Sequence, residues 1–211
     1  MEIDENVGEF VGVFIGDDFV NKYDNHSIIE FTGHMIDEKE YFYYQLMPLI
    51  RTIFPAKPHI TIRERGLRLR YNSKDMYEKI VNEFNLPAGK KSSNIKIPVM
   101  FLKNKKIIKS VIRGIFDTDG SIIWDRRKIY KNFYPRLSVT TISKKLAHQL
   151  KDLLEDLEFN VYLFKDKEKS NRGVAYHIDL YGFKQLNRWI KEIGFSNPKH
   201  IKRLSPGSSA W

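Results

Sequence analysis

The 211-residue chain contains no cysteine. That excludes disulfides and thiolate zinc sites, and it suits an intracellular protein, in cytoplasm or nucleoid, or in an organelle if the source is eukaryotic. No apolar run reaches the ~18 residues needed to span a bilayer. The N-terminus, MEIDENVGEF, is acidic and poor in apolar residues, unlike a signal peptide. No segment is low in complexity, and hydrophobic residues make up 42% of the chain, more than a disordered chain carries. What remains is a folded protein, long enough for one large domain or two of about 100 residues.

The net charge of +10 points to a polyanionic partner. Its distribution is uneven. Residues 1–100 hold 13 Lys and Arg against 15 Asp and Glu, a net of −2, while residues 101–211 hold 23 against 11, a net of +12. If both halves touch nucleic acid, the second is expected to supply more of the salt-dependent affinity. A Lys-rich surface that serves only solubility has the same composition.

The strongest signal is an internal repeat. Residues 10–18 read FVGVFIGDD and residues 112–120 read IRGIFDTDG. With Gly12 placed on Gly114, Gly16 falls on Thr118 and Asp17 on Asp119, an offset of 102 residues. The elements downstream also match. After the first copy come a β-rich run (27–32), a periodic helix (38–53), a hairpin (57–71) and a helix (73–84). After the second come strands at 121–130 and 134–142, a helix at 143–157 with Ser143 placed to cap it, strands at 160–166 and 174–181, and a helix at 183–193. Both halves thus read α-β-β-α-β-β-α. The Pro, Gly, Ser and Lys of residues 85–106 mark a connection. The expected division is 1–88, a linker at 89–106, and 107–211.

The spacing has a chemical meaning. At about 3.6 residues per turn, Gly12 and Gly16 share one helix face, as do Gly114 and Thr118. Small residues at that spacing let two helix backbones approach closely. If the helices pack side by side in parallel, Asp17 and Asp119 meet at one end of the seam. Two carboxylates at helix C-termini repel, and a divalent cation relieves the repulsion. Oxygen ligands of this kind suit Mg²⁺, which keeps several waters and accepts phosphate oxygens.

These two segments resemble the paired motifs of the LAGLIDADG homing endonucleases, in the monomeric form that carries both motifs on one chain. The resemblance covers essentially the whole chain. It implies an α+β fold of two pseudo-symmetric halves, with paired central helices at the interface and antiparallel sheets forming a saddle over double-stranded DNA. It also implies that Asp17 and Asp119 bind metal, Mg²⁺ or Mn²⁺, at the scissile phosphates, with Gly16 and Thr118 beside them in the metal site. Four positions depart from the family pattern. Asp18 stands where Gly is usual, Ile15 where Asp is common, Arg113 at a position usually small, and Thr118 where Ala or Gly is usual. Either Asp17 or Asp18 can face the metal; the spacing from Gly12 favours Asp17.

A DNA-facing sheet should alternate apolar and polar faces. In KPHITIRERGLRLRY, Ile60 and Ile62 alternate with His59, Thr61 and Arg63, and Leu67 and Leu69 with Arg68 and Arg70. Arg is the favoured reader of guanine edges, because its planar fork bonds two acceptors at once. In the second half Arg136, Ser138 and Thr140 alternate with Leu137 and Val139, with Arg126 and Lys128 on the preceding strand. Both faces of 174–181 are bulky, so the alternation there does not choose one. The family places a basic or polar residue near each metal. By position, His34 or Thr32 fits that role in the first half, and Thr141 or Lys144 in the second.

The expected function is therefore metal-dependent hydrolysis of both strands of a long, specific DNA site by a monomer. Two rivals remain: a non-cleaving nucleic-acid-binding protein of the same type, such as an intron RNA maturase or regulator, and a basic structural protein with a chance repeat. An intein is not expected, given the absent cysteine and the motif's nearness to the first residue.

Overall fold

A computed structural model describes residues 2–17, 19–23, 26–89, 93–126, 133–166 and 174–205. Helix α1 (Glu5–Asp17) begins where the Asp4 carboxylate accepts the amide of Val7 at 2.8 Å, which satisfies one of the first free N–H groups. Val7 through Gly16 are buried without interruption. A helix buried on nearly every side belongs in the middle of a molecule, and this one lies there, with Glu9 the one buried charge of that run. Its counterpart α5 (Lys105–Asp119) is capped by Asn104, whose side chain accepts the Lys106 amide at 2.8 Å, and ends at Gly120.

Strands β1 (Phe19–Tyr23) and β2 (His26–His34) follow α1, then a helical run of α2 (Lys39–Tyr41), a π-helical turn (Phe42–Leu46) and α3 (Met47–Ile53). The hairpin of β3 (His59–Arg63) and β4 (Gly66–Asn72) comes next. Helix α4 (Lys74–Glu78), capped by Ser73, runs into a second π-helical turn at Lys79–Glu83. The second half repeats the order with β5 (Gly120–Asp125), β6 (Tyr134–Thr141), α6 (Lys144–Asp156), β7 (Tyr162–Lys165), β8 (Tyr176–Tyr181) and α7 (Phe183–Glu192). The α-β-β-α-β-β-α reading holds in both halves. A short helix α8 (Pro198–Lys202), capped by Asn197, was not anticipated.

Each half carries one four-stranded antiparallel sheet, ordered β1-β2-β4-β3 in the first and β5-β6-β8-β7 in the second. The inner faces bury Ile29, Phe31, Leu67, Leu69 and Tyr71 in one sheet and Ile122, Leu137, Val139, Ile178 and Leu180 in the other. The segment between the halves is anchored. Ile95, Ile97 and Phe101 are buried, and a 3₁₀ turn spans Val99–Leu102. Gln149 of α6 grips the backbone of Ile97 from both sides, accepting its N–H at 2.7 Å and donating to its carbonyl at 2.9 Å. Ser143 caps α6 as expected, accepting the Leu146 amide, and its hydroxyl donates to the Ile95 carbonyl at 2.6 Å.

Candidate metal centre and nucleic-acid interface

Helices α1 and α5 run parallel in close backbone contact. Gly12 and Gly114 lie back to back: a Cβ on Gly12 would overlap the Val111 carbonyl, and one on Gly114 would overlap the Glu9 carbonyl. One turn onward Gly16 faces the side chain of Thr118, and one turn earlier Gly8 faces Ser110. The seam therefore has three small-residue layers at the 102-residue offset, one more than the motif itself displays. Thr118 fits because its hydroxyl turns back on its own helix, donating towards the carbonyls of Gly114 (3.2 Å) and Ile115 (3.0 Å). Arg113, at the position expected to be small, reaches across the seam. Its Nε donates to Glu9 at 3.0 Å, and a second nitrogen donates to the Ile193 carbonyl at 3.1 Å.

Asp17 and Asp119 are the last residues of α1 and α5, so the parallel register brings the two chain positions to one end of the seam. Asp18 lies outside the described residues. Beside Asp119 is an arrangement that the sequence did not disclose. Asp117 is completely buried, and its carboxylate accepts the Ser196 amide at 2.9 Å while its backbone carbonyl accepts the Asn197 side chain at 2.9 Å. Burial raises its pKa to about 7, against the lowering effect of the Ser196 and Asn197 amides. Its other oxygen has no hydrogen-bond partner among the described residues. Ile15 holds the matching place in α1 and is buried as a hydrocarbon. His200, buried against Phe116 and Phe195, is pushed down to about 3 by burial and by Lys199, so it is neutral at ordinary pH.

The α8 segment also ties the halves together. Lys199 pairs with Glu38 at 2.7 Å and lies 3.5 Å from the Thr118 carbonyl. Glu38 in turn accepts the His34 amide at 2.9 Å and the Asn197 side chain at 3.4 Å. Lys199 is thus the basic side chain that the described structure sets against the end of α5. His34 lies 3.0 Å from the Asp37 carboxylate, and Lys144 is an exposed residue opening α6. The Asn-Pro-Lys run, a helix start, was the one available signal for Lys199.

The outer sheet faces carry most of the residues nominated for DNA contact. In the first half, cross-strand partners share the face in rows: His59, Arg70 and Glu30, then Thr61, Arg68 and Thr32, with Arg63 at the turn end. Glu30 pairs with both Arg68 (3.1 Å) and Arg70 (2.8 Å). In the second half the register settles the face of β8. His177, Asp179 and Tyr181 stand opposite Thr140, Ser138 and Arg136 on the outer side, and Ile178 and Leu180 point inward. Asp179 is fully buried there, accepting from Arg136 (2.9 Å), Ser138 (2.6 Å) and Tyr181 (2.9 Å). Burial tends to lower the Arg136 pKa, but Tyr181 and Asp179 outweigh it and the net shift is upward. Arg126 is exposed, its guanidinium 5.1 Å from the Phe133 ring; Lys128 lies outside the described residues.

Comparison with known proteins agrees with this geometry. The model of the LAGLIDADG-like domain matches residues 106–194, which contain the whole second motif. I-DmoI in complex with DNA and Mn superposes with a TM-score of 0.65 at 16% identity, covering 90% of this chain and 96% of that one. The second half of the chain carries a LAGLIDADG-like domain, and the chain shares its fold with I-DmoI. Relatives by sequence include a replication factor C small subunit of Methanocaldococcus jannaschii, 28% identical over 205 residues and 96% of this chain. A probable translation initiation factor IF-2 of the same organism is 32% identical over 116 residues, 54% of this chain. This chain spans only 10% and 9% of those two proteins.

The C-terminal ends of α1 and α5 suit a hard divalent cation. Each motif ends in one carboxylate and in the backbone carbonyls of a helix C-terminus, all oxygen donors. Among the described residues no group of three or more His, Asp or Glu comes together. Two carboxylates with the remaining positions left to water and phosphate oxygens is a donor set that Mg²⁺ accepts readily.

Proposed function

We propose that the chain is a site-specific DNA endonuclease that makes a double-strand break by metal-dependent hydrolysis, acting as a monomer. The observation that carries this reading is the seam. Three layers of small residues at one offset bring two helix-terminal acids, Asp17 and Asp119, to the same end of two parallel helices, one from each half. The proposed division of labour follows the repeat, with one acid, one half and one strand of the duplex. The relatives support the reading from another side. Related segments form a small part of a replication factor C small subunit and of a probable translation initiation factor IF-2, proteins with unlike names and tasks. A segment that recurs inside unrelated hosts behaves as a unit that moves between genes, and an enzyme that cuts DNA at a chosen site serves that movement.

In this reading Asp17 and Asp119 hold the cation, with the Gly16 and Thr118 carbonyls at the same helix ends. A bound Mg²⁺ or Mn²⁺ supplies Lewis acidity towards the phosphate and lowers the pKa of its water. The chain's own part is positional. The seam sets the two helix ends side by side, the sheets seat the duplex, and Lys199, held by Glu38, puts a positive charge 3.5 Å from the Thr118 carbonyl, the residue before Asp119.

The test begins with a duplex site selected from a randomised pool and placed in a supercoiled plasmid. With Mg²⁺ the wild type is expected to linearise it, and EDTA to stop the reaction. Asp119→Asn should leave at most a nick. Cutting by Asp119→Asn at the wild-type rate would show that the acid is not in the site. Tight binding with no cleavage in any divalent cation would turn the reading towards the non-cleaving members of the fold.

A further inference from the structure

On the outer face of the first sheet one carboxylate governs two arginines. Glu30 is 13% exposed, whereas Arg68 and Arg70 are 49% and 40% exposed. Its Oε2 takes both Nε (3.0 Å) and Nη2 (2.8 Å) of Arg70, a side-on grip, and its Oε1 takes only the Nε of Arg68 (3.1 Å). The consequence is unequal. Arg70 has spent two donors of its fork on Glu30, while both terminal nitrogens of Arg68 have no other partner among the described residues. Arg68 also borders a concavity of about 170 Å³, lined by Thr32, Thr61, Arg63 and Leu67.

We propose that Glu30 is a positioning residue for base reading: it aims the end-on fork of Arg68 outward as the guanine reader of this half and withdraws Arg70 from that role. The inference rests on the DNA-binding reading above. Its physical basis is that a long side chain loses rotamer freedom when it docks, and a guanidinium already held through Nε has lost most of that freedom beforehand. The two terminal N–H groups then match the O6 and N7 acceptors on the guanine edge in the major groove. The carboxylate has a second consequence with the opposite sign. It cancels one positive charge on the DNA-facing surface, so its removal should raise unspecific affinity while blurring base choice.

The experiment is selection from a randomised double-stranded DNA pool in EDTA, with sequencing of the bound fraction, for the wild type, Glu30→Gln, Arg68→Gln and Arg70→Gln. The wild type is expected to enrich a site with guanine at one position of the first half-site, favoured by about tenfold or more. Arg68→Gln should lose that preference. Glu30→Gln should reduce it below about threefold at the same position, leave the second half-site unchanged, and bind random duplex at low salt about twofold or more tightly. Arg70→Gln should keep the guanine. Arg68→Lys, which retains charge without the fork, should behave as Arg68→Gln, and the retained second half-site guards against a folding defect in Glu30→Gln. If Glu30→Gln keeps the guanine preference within a factor of two, or if Arg70 rather than Arg68 carries it, the proposal is overturned. If the wild type enriches no sequence at any salt concentration, the DNA-binding reading itself fails and takes the proposal with it.

Discussion

Asp117 offers a test of the end of the seam that needs no knowledge of the DNA target. Its carboxyl is raised from 3.8 to about 7 because burial penalises the anion more than the Ser196 and Asn197 amides repay. The unfolded chain releases this proton near 3.8 and the folded chain near 7. Between those values the folded state holds the extra proton, so this group makes stability fall as pH rises from about 4 to about 7, and its cost is complete above that. A shift of about three units corresponds to roughly 4 kcal/mol at about 1.4 kcal/mol per unit. Asp117→Asn removes the charge, keeps an oxygen for the Ser196 amide and places an NH₂ where the unpartnered oxygen now lies. An unsatisfied buried donor costs about 1–3 kcal/mol, so the variant should gain roughly 1–3 kcal/mol at pH 8 and nothing, or a small loss, at pH 4.5. Urea unfolding at both values measures it. Parallel pH profiles for the two proteins, with no convergence on acidification, would refute the argument that a buried neutral carboxyl closes the seam.

Other outcomes follow from the same geometry. Gly114→Ala puts a methyl on the Glu9 carbonyl, a backbone atom that cannot swing aside, so the helices must separate; a loss of about 3 kcal/mol in urea unfolding is expected. Glu38→Ala strands Lys199, the His34 amide and one Asn197 hydrogen bond in a mostly buried place, and should cost about 2–3 kcal/mol by the same measurement. Asp119→Asn should abolish double-strand cleavage while retaining site affinity in a gel shift performed with Ca²⁺. Removing the cation from wild type should likewise end cutting without releasing the duplex.

The legible and the hidden parts of this protein divide along a physical line. The seam could be read because its requirement is local and repeated: Gly12, Gly16, Gly114 and Thr118 must be small for two backbones to touch, and nothing larger substitutes. The Gly8–Ser110 layer obeys the same offset and could have been found by extending the comparison one turn back, but a serine does not advertise itself as a packing residue. Strand alternation could be read wherever one face is purely apolar, as at Leu67 and Leu69. It failed on β8, where only the register against β6 distinguishes Asp179 from its neighbours. The Asp117–Ser196 clamp and the Glu38–Lys199 bridge could not be read, because each joins residues about 80 or 160 positions apart with no motif of their own. Position after the first strand drew attention to His34 and Lys144, whereas Lys199 reaches the end of α5 from the far end of the chain.

The two halves agree inside and diverge outside, and that contrast bears on what they bind. At the matching cross-strand place the first sheet holds Glu30 opposite Arg70 and the second holds Ser138 opposite Asp179. The acid has changed strands, and its partners have changed from two exposed arginines to one arginine, a serine and a tyrosine. Around Asp179 the outer face is aromatic: His177 stacks on Phe164 at 5.2 Å, and Tyr162 and Phe164 are 57% and 42% exposed. Net charge is thus a poor guide to this face. The second half is the more basic by composition, yet its described sheet surface carries fewer cations than the first. Rings and methyl-sized contacts favour thymine, while arginine forks favour guanine. A duplex that fits both sheets is therefore not a palindrome. Selection from a random pool should return two unlike half-sites, guanine-bearing under the first sheet and richer in A·T under the second. Recovery of a symmetric site would mean that these outer-face differences do not take part in recognition.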